Sequence, residues 1–354
     1  MEKAALSAPS NLKNMTVGMT DDELEQACED QNPGIAPWAY WTSELYSLGK
    51  CLRFWTKYPK FLPLYVYSDH GVGAETTLFP HDLENPAKVH FTWNPLKEQK
   101  YKDFIGKKVI QIINPWISYR RMRGIQRSAK PRGTLVFFTH STPAVQWVGH
   151  DSEEYFVKLK ELSEKFQPVV ICLHMHDIRA GLHKKLRSFG FPLVTAGNTA
   201  SVNFVDSFYS IIRNYAYATS NLWGSQVFYC VEMGIPYFFL GERPELMNIS
   251  DKNLSDGMQK KYWDQDHEKY EKKADELFKS PVDVVTDEQR TIIEFQLGFN
   301  SRLSRWQVSW ILWREFFRNW RQLNVVFKAI LVTFLGKLGL LRMIKRIRIH
   351  FKSN

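Results

Sequence analysis

In this sequence, polar residues of catalytic type follow one apolar run after another. Ser68-Asp69-His70-Gly71, Thr139-His140-Ser141-Thr142, His174-Met175-His176-Asp177, Thr195-Ala196-Gly197-Asn198 and Ser220-Asn221-Leu222-Trp223-Gly224-Ser225 each stand just past a stretch that reads as a buried strand. Imidazoles and carboxylates of this kind serve as bases near neutral pH. Gly224 and Ser225 open a helical stretch, whose free N–H groups and positive dipole end suit a phosphate. Glycine lets backbone approach an anion, and the hydroxyls of Ser220 and Ser225 add donors. The pattern is that of a base facing an anion cradle.

The elements that must position these loops are legible. Phe61–Tyr67, Val89–Trp93 and Lys108–Ile113 read as strands, with a short helix over Leu96–Phe104. The polar link Ser128-Ala129-Lys130-Pro131-Arg132-Gly133 marks a domain boundary. Beyond it, strands over 134–138, 169–173, 192–195, 215–219 and 235–240 alternate with amphipathic helices over 153–166, 182–189, 201–213 and 224–233, the last ending at Gly234. Strands without polar alternation, separated by such helices, predict a parallel sheet covered on both faces. In such sheets a ligand sits at the carboxyl ends of the strands, where the polar loops fall.

The run from Ala218 to Pro236 resembles a known pattern through Ser220, Gly224, Ser225, Glu232, Gly234 and Pro236. It is similar to the C-terminal half of two-domain (GT-B type) glycosyltransferases and of non-hydrolysing sugar-nucleotide epimerases. Phe137–Ser141 is similar to the first strand and loop of that half, and Val170–His176 to its second. The likeness spans about Gly133 to Leu240. Among these families, bacterial cell-surface polysaccharide enzymes, including sialyl- and Kdo-type transferases that use CMP sugars, have looser counterparts to Asp69-His70-Gly71, His174-Met175-His176 and Ser220. The resemblance implies a nucleotide-sugar donor (CMP-, UDP- or GDP-linked), with Glu232 on the ribose. It assigns donor contacts to His140, Ser141, His174, His176, Asn198, Ser220, Asn221, Gly224, Ser225 and Glu232, and the acceptor base to Asp69 or His70. The paired glycines and paired glutamates of the epimerases are absent, which favours transfer over epimerization. His174, His176 and Asp177 lack a further ligand to complete a zinc site. Asp264-Gln265-Asp266 has Asp-x-Asp spacing but sits in a charged helical stretch. No metal or cofactor is expected.

Composition and charge bound the rest. The chain has 354 residues, 44% hydrophobic and 24% charged, so two domains can be cored without disulfides. Its four cysteines show no metal-ligand spacing, and the first twenty residues lack an apolar signal core, so a reduced, cytoplasmic setting is expected. The net charge is +10, yet residues 301–354 hold twelve Lys/Arg against one acid, Glu315, while residues 1–300 nearly balance. A near-neutral body with one basic end excludes a body-wide nucleic-acid surface and suits an anionic membrane.

In that end, Leu303, Trp306, Trp310, Trp313, Phe317 and Trp320 recur at helical spacing among arginines. Residues 325–343 are apolar but broken by Lys328, Lys337 and Arg342, which disfavours a spanning helix. The expectation is that the aromatic stripe packs on the N-terminal domain and that Lys328 onward lies in the membrane interface. The whole reads as α/β, two Rossmann-like domains in GT-B architecture: a polar arm, frayed or a capped helix (1–34), an acceptor-side domain (35–130), a nucleotide-sugar domain (131–290) and C-terminal helices with a basic tail (291–354). The expected activity is metal-independent transfer of a sugar to a lipid-linked or growing cell-surface glycan, peripheral to the cytoplasmic face of the inner membrane. A sugar-nucleotide epimerase and a non-catalytic scaffold of polysaccharide assembly are the alternatives.

Overall fold

The computed structural model describes residues 17–73, 80–101, 107–141, 145–148, 152–248 and 265–319. In chain order the elements are α1 (Asp21–Glu29), α2 (Leu48–Thr56), β1 (Tyr67–Ser68), α3 (Pro80–Glu84), β2 (Val89–Thr92), α4 (Pro95–Tyr101), β3 (Lys108–Gln111) and α5 (Pro115–Arg123). Next come β4 (Thr134–Phe137), β5 (Val145–Val148), α6 (Glu153–Lys160), β6 (Val169–Cys172), α7 (Met175–Arg179), α8 (Leu182–Ser188), β7 (Leu193–Val194) and α9 (Phe204–Ile212). The series ends with β8 (Tyr217–Ser220), α10 (Ser225–Glu232), β9 (Tyr237–Phe239), β10 (Glu245–Asn248), α11 (Gln265–Phe278), α12 (Asp287–Gln296) and α13 (Arg305–Arg318).

The fold is α/β with two parallel sheets. One has the order β1-β2-β3; the other has five strands in the order β7-β6-β4-β8-β9. In the larger sheet the first strand in sequence, β4, is central, with Thr134 opposite Val169 of β6 on one side and Tyr217 of β8 on the other. The chain winds outward from β4 to β7, then returns to β8, so the strand order reverses between β4 and β8. This is the order of doubly wound sheets, whose ligand crevice lies at that reversal. All four residues of β4 and of β6 are buried, as expected where helices cover both faces. β5 and β10 form a separate antiparallel pair.

The helices form where apolar residues recur on one face. In α9, Phe204, Val205, Phe208, Tyr209 and Ile212 are all buried, a stripe at i, i+4 and i+8 spacing. Helices α2 and α5 lie between the two sheets. α2 contributes Leu52 and Trp55 to the cluster under the smaller sheet, and Leu48 and Cys51 to the cluster of the larger one. Trp116 of α5 stacks on Tyr229 of α10 at 4.5 Å and meets Phe208 at 5.1 Å. Burying an aromatic of that size contributes roughly 1.5–3 kcal/mol, so α5 belongs to the larger sheet's core although it precedes the expected boundary.

Two further placements decide between the alternatives left by the sequence. Residues 21–29 are a helix with a Thr20/Glu23 capping box, and Leu24 and Cys28 are buried in the larger sheet's second cluster. The acidic arm is thus docked on the sheet edge, with Met19 N–H donating to the Leu193 carbonyl. Helix α13 does pack on the smaller sheet, through Val308, Ile311, Leu312 and Phe316 with Leu303 and Trp313 of the stripe at their edge, while Trp306, Trp310 and Phe317 face outward. The tail from residue 320, including Trp320, and Asp264 lie outside the described residues. Among the described residues no helix is long and apolar enough to cross a membrane, and all four cysteines are free and buried.

Candidate active site

A cavity of about 450 Å³ opens at the carboxyl ends of β4, β6, β7 and β8, at the reversal of strand order. Its walls carry His70 from the loop after β1, Thr139 and His140 after β4, His174 after β6, Thr195 after β7, and Gly224, Ser225 and Gln226 around the start of α10. Aromatic residues, among them Tyr46, Trp116, Phe208 and Trp223, supply the remaining surface. A mostly apolar hollow with a few convergent polar groups is the usual form of a small-molecule site.

The centre of the polar wall is a histidine pair. His140 and His174 stack face to face, ring centroids 4.0 Å apart at 23°. His174 caps α7, its Nδ1 accepting the His176 N–H at 3.3 Å. An accepting Nδ1 puts the proton of the neutral ring on Nε2, and Nε2 is buried without a hydrogen-bond partner. Burial, with His140 and His176 beside it, holds the His174 imidazole well below its ordinary range. The ring is therefore neutral and presents one unspent donor, which suits an anionic or carbonyl oxygen. His176, lowered mainly by burial, sits half-buried at 5.0 Å from His174 but is not on the wall.

At the other side, α10 begins at Gly224 with no side-chain cap, leaving its first N–H groups for a ligand. Gly224 has extended backbone, φ −166°, a conformation open to any residue. A Cβ here would meet only the end of the Gln226 side chain, 2.5 Å from its Oε1, which can turn away. Ser225 Oγ accepts the Val72 N–H at 2.8 Å and lies 3.3 Å from the Val72 carbonyl. That contact draws the loop after β1 over the cradle and brings His70 onto the wall.

The two candidates for the base separate here. Asp69 accepts from Lys97 Nζ and pairs with His90 Nε2 through Oδ1, both at 2.8 Å, and accepts Thr92 Oγ1 at 2.7 Å through Oδ2. Burial opposes its ionization, but Lys97 and His90 outweigh burial and hold the carboxyl well below the usual carboxylate range. Both of its oxygens are spent on these partners and Asp69 does not line the cavity, so of the two candidates for the base only His70 reaches it. His70, packed on Trp41 at 5.1 Å, is lowered to about 4 by burial and by His81. It is the neutral imidazole of the pair and the one on the cavity wall.

Several other expected donor contacts are spent elsewhere. Glu232 is 1% exposed and bound by Arg120 at 2.7 and 2.8 Å and Arg121 at 3.1 Å. It ends α10, about 10 Å along the helix axis from Ser225, and ties α10 to α5; the ribose role is corrected on that ground. Ser220 donates to the Leu222 carbonyl at 2.7 Å, and Asn221 accepts from Thr139 at 2.9 Å. Asn198 bonds the Cys28 carbonyl at 2.7 Å and the Ala200 N–H at 2.9 Å, fastening α1 to the loop after β7. Ser141 donates its N–H to Asp177 at 3.2 Å; burial pushes that carboxyl up to about 7. These residues shape the loops and leave the cavity surface to others.

Sequence reasoning passed over Tyr46 and Trp116. Tyr46 has φ +55°, a strained conformation for a large side chain, and its carbonyl accepts Trp116 Nε1 at 2.8 Å. No spacing rule marks either residue. Among the described residues no group of three or more His, Cys, Asp or Glu is placed to hold a metal ion. Comparison with protein-family models, with curated proteins and with solved structures finds no match.

Proposed function

We propose that the chain is a glycosyltransferase with two Rossmann-like domains in GT-B arrangement, and that the cavity takes a nucleotide sugar. The observation that carries this reading is an anion site at the reversal of strand order: the uncapped start of α10 at Gly224–Ser225, with the unspent Nε2 of His174 on the same cavity wall. A helix N-terminus and a neutral imidazole donor suit the phosphates of the donor, and the aromatic wall suits its base and sugar faces. His70 takes the proton of the acceptor hydroxyl. The acceptor oxygen then bonds the anomeric carbon, whose bond to the phosphate oxygen breaks, and the nucleotide leaves with that electron pair. The helix dipole and His174 stabilize the charge that develops on the phosphate.

The acceptor in this reading is a lipid-linked or growing cell-surface glycan (capsule, O-antigen or lipopolysaccharide), reached from the cytoplasmic face of the inner membrane. Calorimetry against CMP, UDP, GDP and their sugars tests it. One nucleotide class should bind, and binding should weaken in His174→Ala. No binding by any of them rejects the reading. Interconversion of a free nucleotide sugar without an acceptor would move it to the epimerases.

A further inference from the structure

Helix α13 has two unlike faces. Val308, Ile311, Leu312 and Phe316 are buried on the smaller sheet, whereas Trp306, Trp310 and Phe317 are 61%, 62% and 63% exposed. At 3.6 residues per turn Trp306, Trp310 and Phe317 fall within an arc of about 40°, on the side away from Val308, with Trp313 at its edge packed on Tyr58. Arg305 lies over the Trp306 ring at 4.4 Å and Arg314 over Trp310 at 5.3 Å. The aromatic face is therefore flanked by cations.

Beside the end of α13 is a hollow of about 860 Å³ lined by Lys88, Lys107, Lys108, Arg314 and Arg318. Among its described lining residues the one carboxylate is Glu315, which is 1% exposed and already paired with Arg314 at 2.7 Å and Arg318 at 3.2 Å. Glu315 cancels only one of the two arginine charges, and three lysines add to what remains. Lys107 is pinned by the carbonyls of Asp82 and Asn85, and burial, aided by Lys88 against the pull of Asp82, lowers its ammonium pKa. Asn319 stands on the rim of this hollow, and the sequence that continues from it, residues 320–354, has eight Lys/Arg and no acid.

We propose that the outer face of α13 and the adjoining basic hollow form a docking surface for an anionic phospholipid membrane. Tryptophans settle at a headgroup boundary and lysines on its phosphates. An aromatic stripe edged by cations, continued by a basic apolar segment, matches that surface in both chemistries. The inference deepens the membrane placement proposed above and is independent of the transfer reaction. It makes the folded body, beyond the tail, a part of the contact.

The test uses the full chain and co-sedimentation with vesicles of phosphatidylcholine alone or mixed equally with phosphatidylglycerol. The wild type should bind the mixed vesicles, and an excess of soluble glycerol phosphate should not displace it. Lys88→Glu with Lys108→Glu should lower the partition coefficient at least about twentyfold, at about fivefold for each charge removed. Trp306→Ser with Trp310→Ser should lower it as well, with Tm unchanged. Wild-type vesicle binding in both variants assigns attachment to the tail and overturns the inference. So does displacement by glycerol phosphate, which means a soluble anion site. A tryptophan variant that keeps vesicle binding but changes from dimer to monomer means a second copy covers the face, and a lower Tm in that variant means the chain itself does; either overturns it. A wild type that ignores the mixed vesicles rejects the docking surface and the membrane placement together, leaving nucleotide binding to judge the transfer reading.

Discussion

The hydroxyl of Ser225 and the backbone of Val72 fasten the start of α10 to the loop after β1: Oγ accepts the Val72 N–H at 2.8 Å and lies 3.3 Å from its carbonyl. The contact closes the cavity between the two sheets. Ser225→Ala removes it while leaving the uncapped helix start. The hydrogen bond contributes on the order of 1 kcal/mol, so the variant should remain folded with a slightly lower Tm. Its nucleotide affinity should fall several-fold, read by calorimetry. Unchanged affinity would separate the loop from the donor site.

Gly224→Val tests the cradle by bulk, since it puts a branched side chain on the cavity wall at the start of α10. The extended backbone tolerates valine, so the fold should hold. Nucleotide affinity should fall at least tenfold, about 1.4 kcal/mol. Calorimetry beside a thermal melt distinguishes a blocked site from a damaged fold.

His70 and Asp69 should respond differently to substitution. His70→Ala should cut turnover by about 10²–10⁴ with donor binding nearly intact. Asp69→Asn removes the buried carboxylate that Lys97, His90 and Thr92 share and should lower stability, visible as a large fall in Tm. Equal melts for the two variants would contradict the division of roles.

Asp177 and His70 give stability opposite pH slopes. The Asp177 carboxyl is raised by burial from 3.8 to about 7, so its contribution falls as pH rises between those values. His70 is lowered from 6.5 to about 4, so the stability it confers is present above 6.5 and lost as pH falls towards 4. Asp177→Asn, whose amide oxygen still accepts the Ser141 N–H, removes only the first slope. The Tm of the variant relative to wild type should therefore climb from pH 4 to pH 7. A constant difference would show that Asp177 does not titrate there.

Glu232→Gln should lower stability while leaving nucleotide affinity within about twofold, because its carboxylate neutralizes Arg120 and Arg121 and a lost buried pair is felt in the fold. A selective loss of nucleoside affinity over phosphate affinity, with Tm intact, would restore the ribose role.

The alternation of apolar runs and amphipathic helices is written in the order of residues, and with it which loops share one end of the larger sheet. Burial and periodicity are properties of neighbouring residues, so 134–138, 169–173 and 215–219 could be read as strands before any contact was known. The approximate place of the cavity followed from them, and His70, His140, His174, Gly224 and Ser225 line it. Spacing did not show that the histidines just past 169–173 open a helix, His174 as the cap and His176 in the first turn of α7.

Only the tertiary structure decided which polar residues remain open to a ligand. Glu232 meets Arg120 across 112 residues of chain, and Ser225 meets Val72 across 153. It also turned the Trp306 and Trp310 face of α13 outward, because Val308 and Leu312 on the opposite face fill the space over the smaller sheet. Spacing tells which side chains share a helix face. Which face is buried, and which charge is already answered, depends on surfaces that meet only when distant segments fold together.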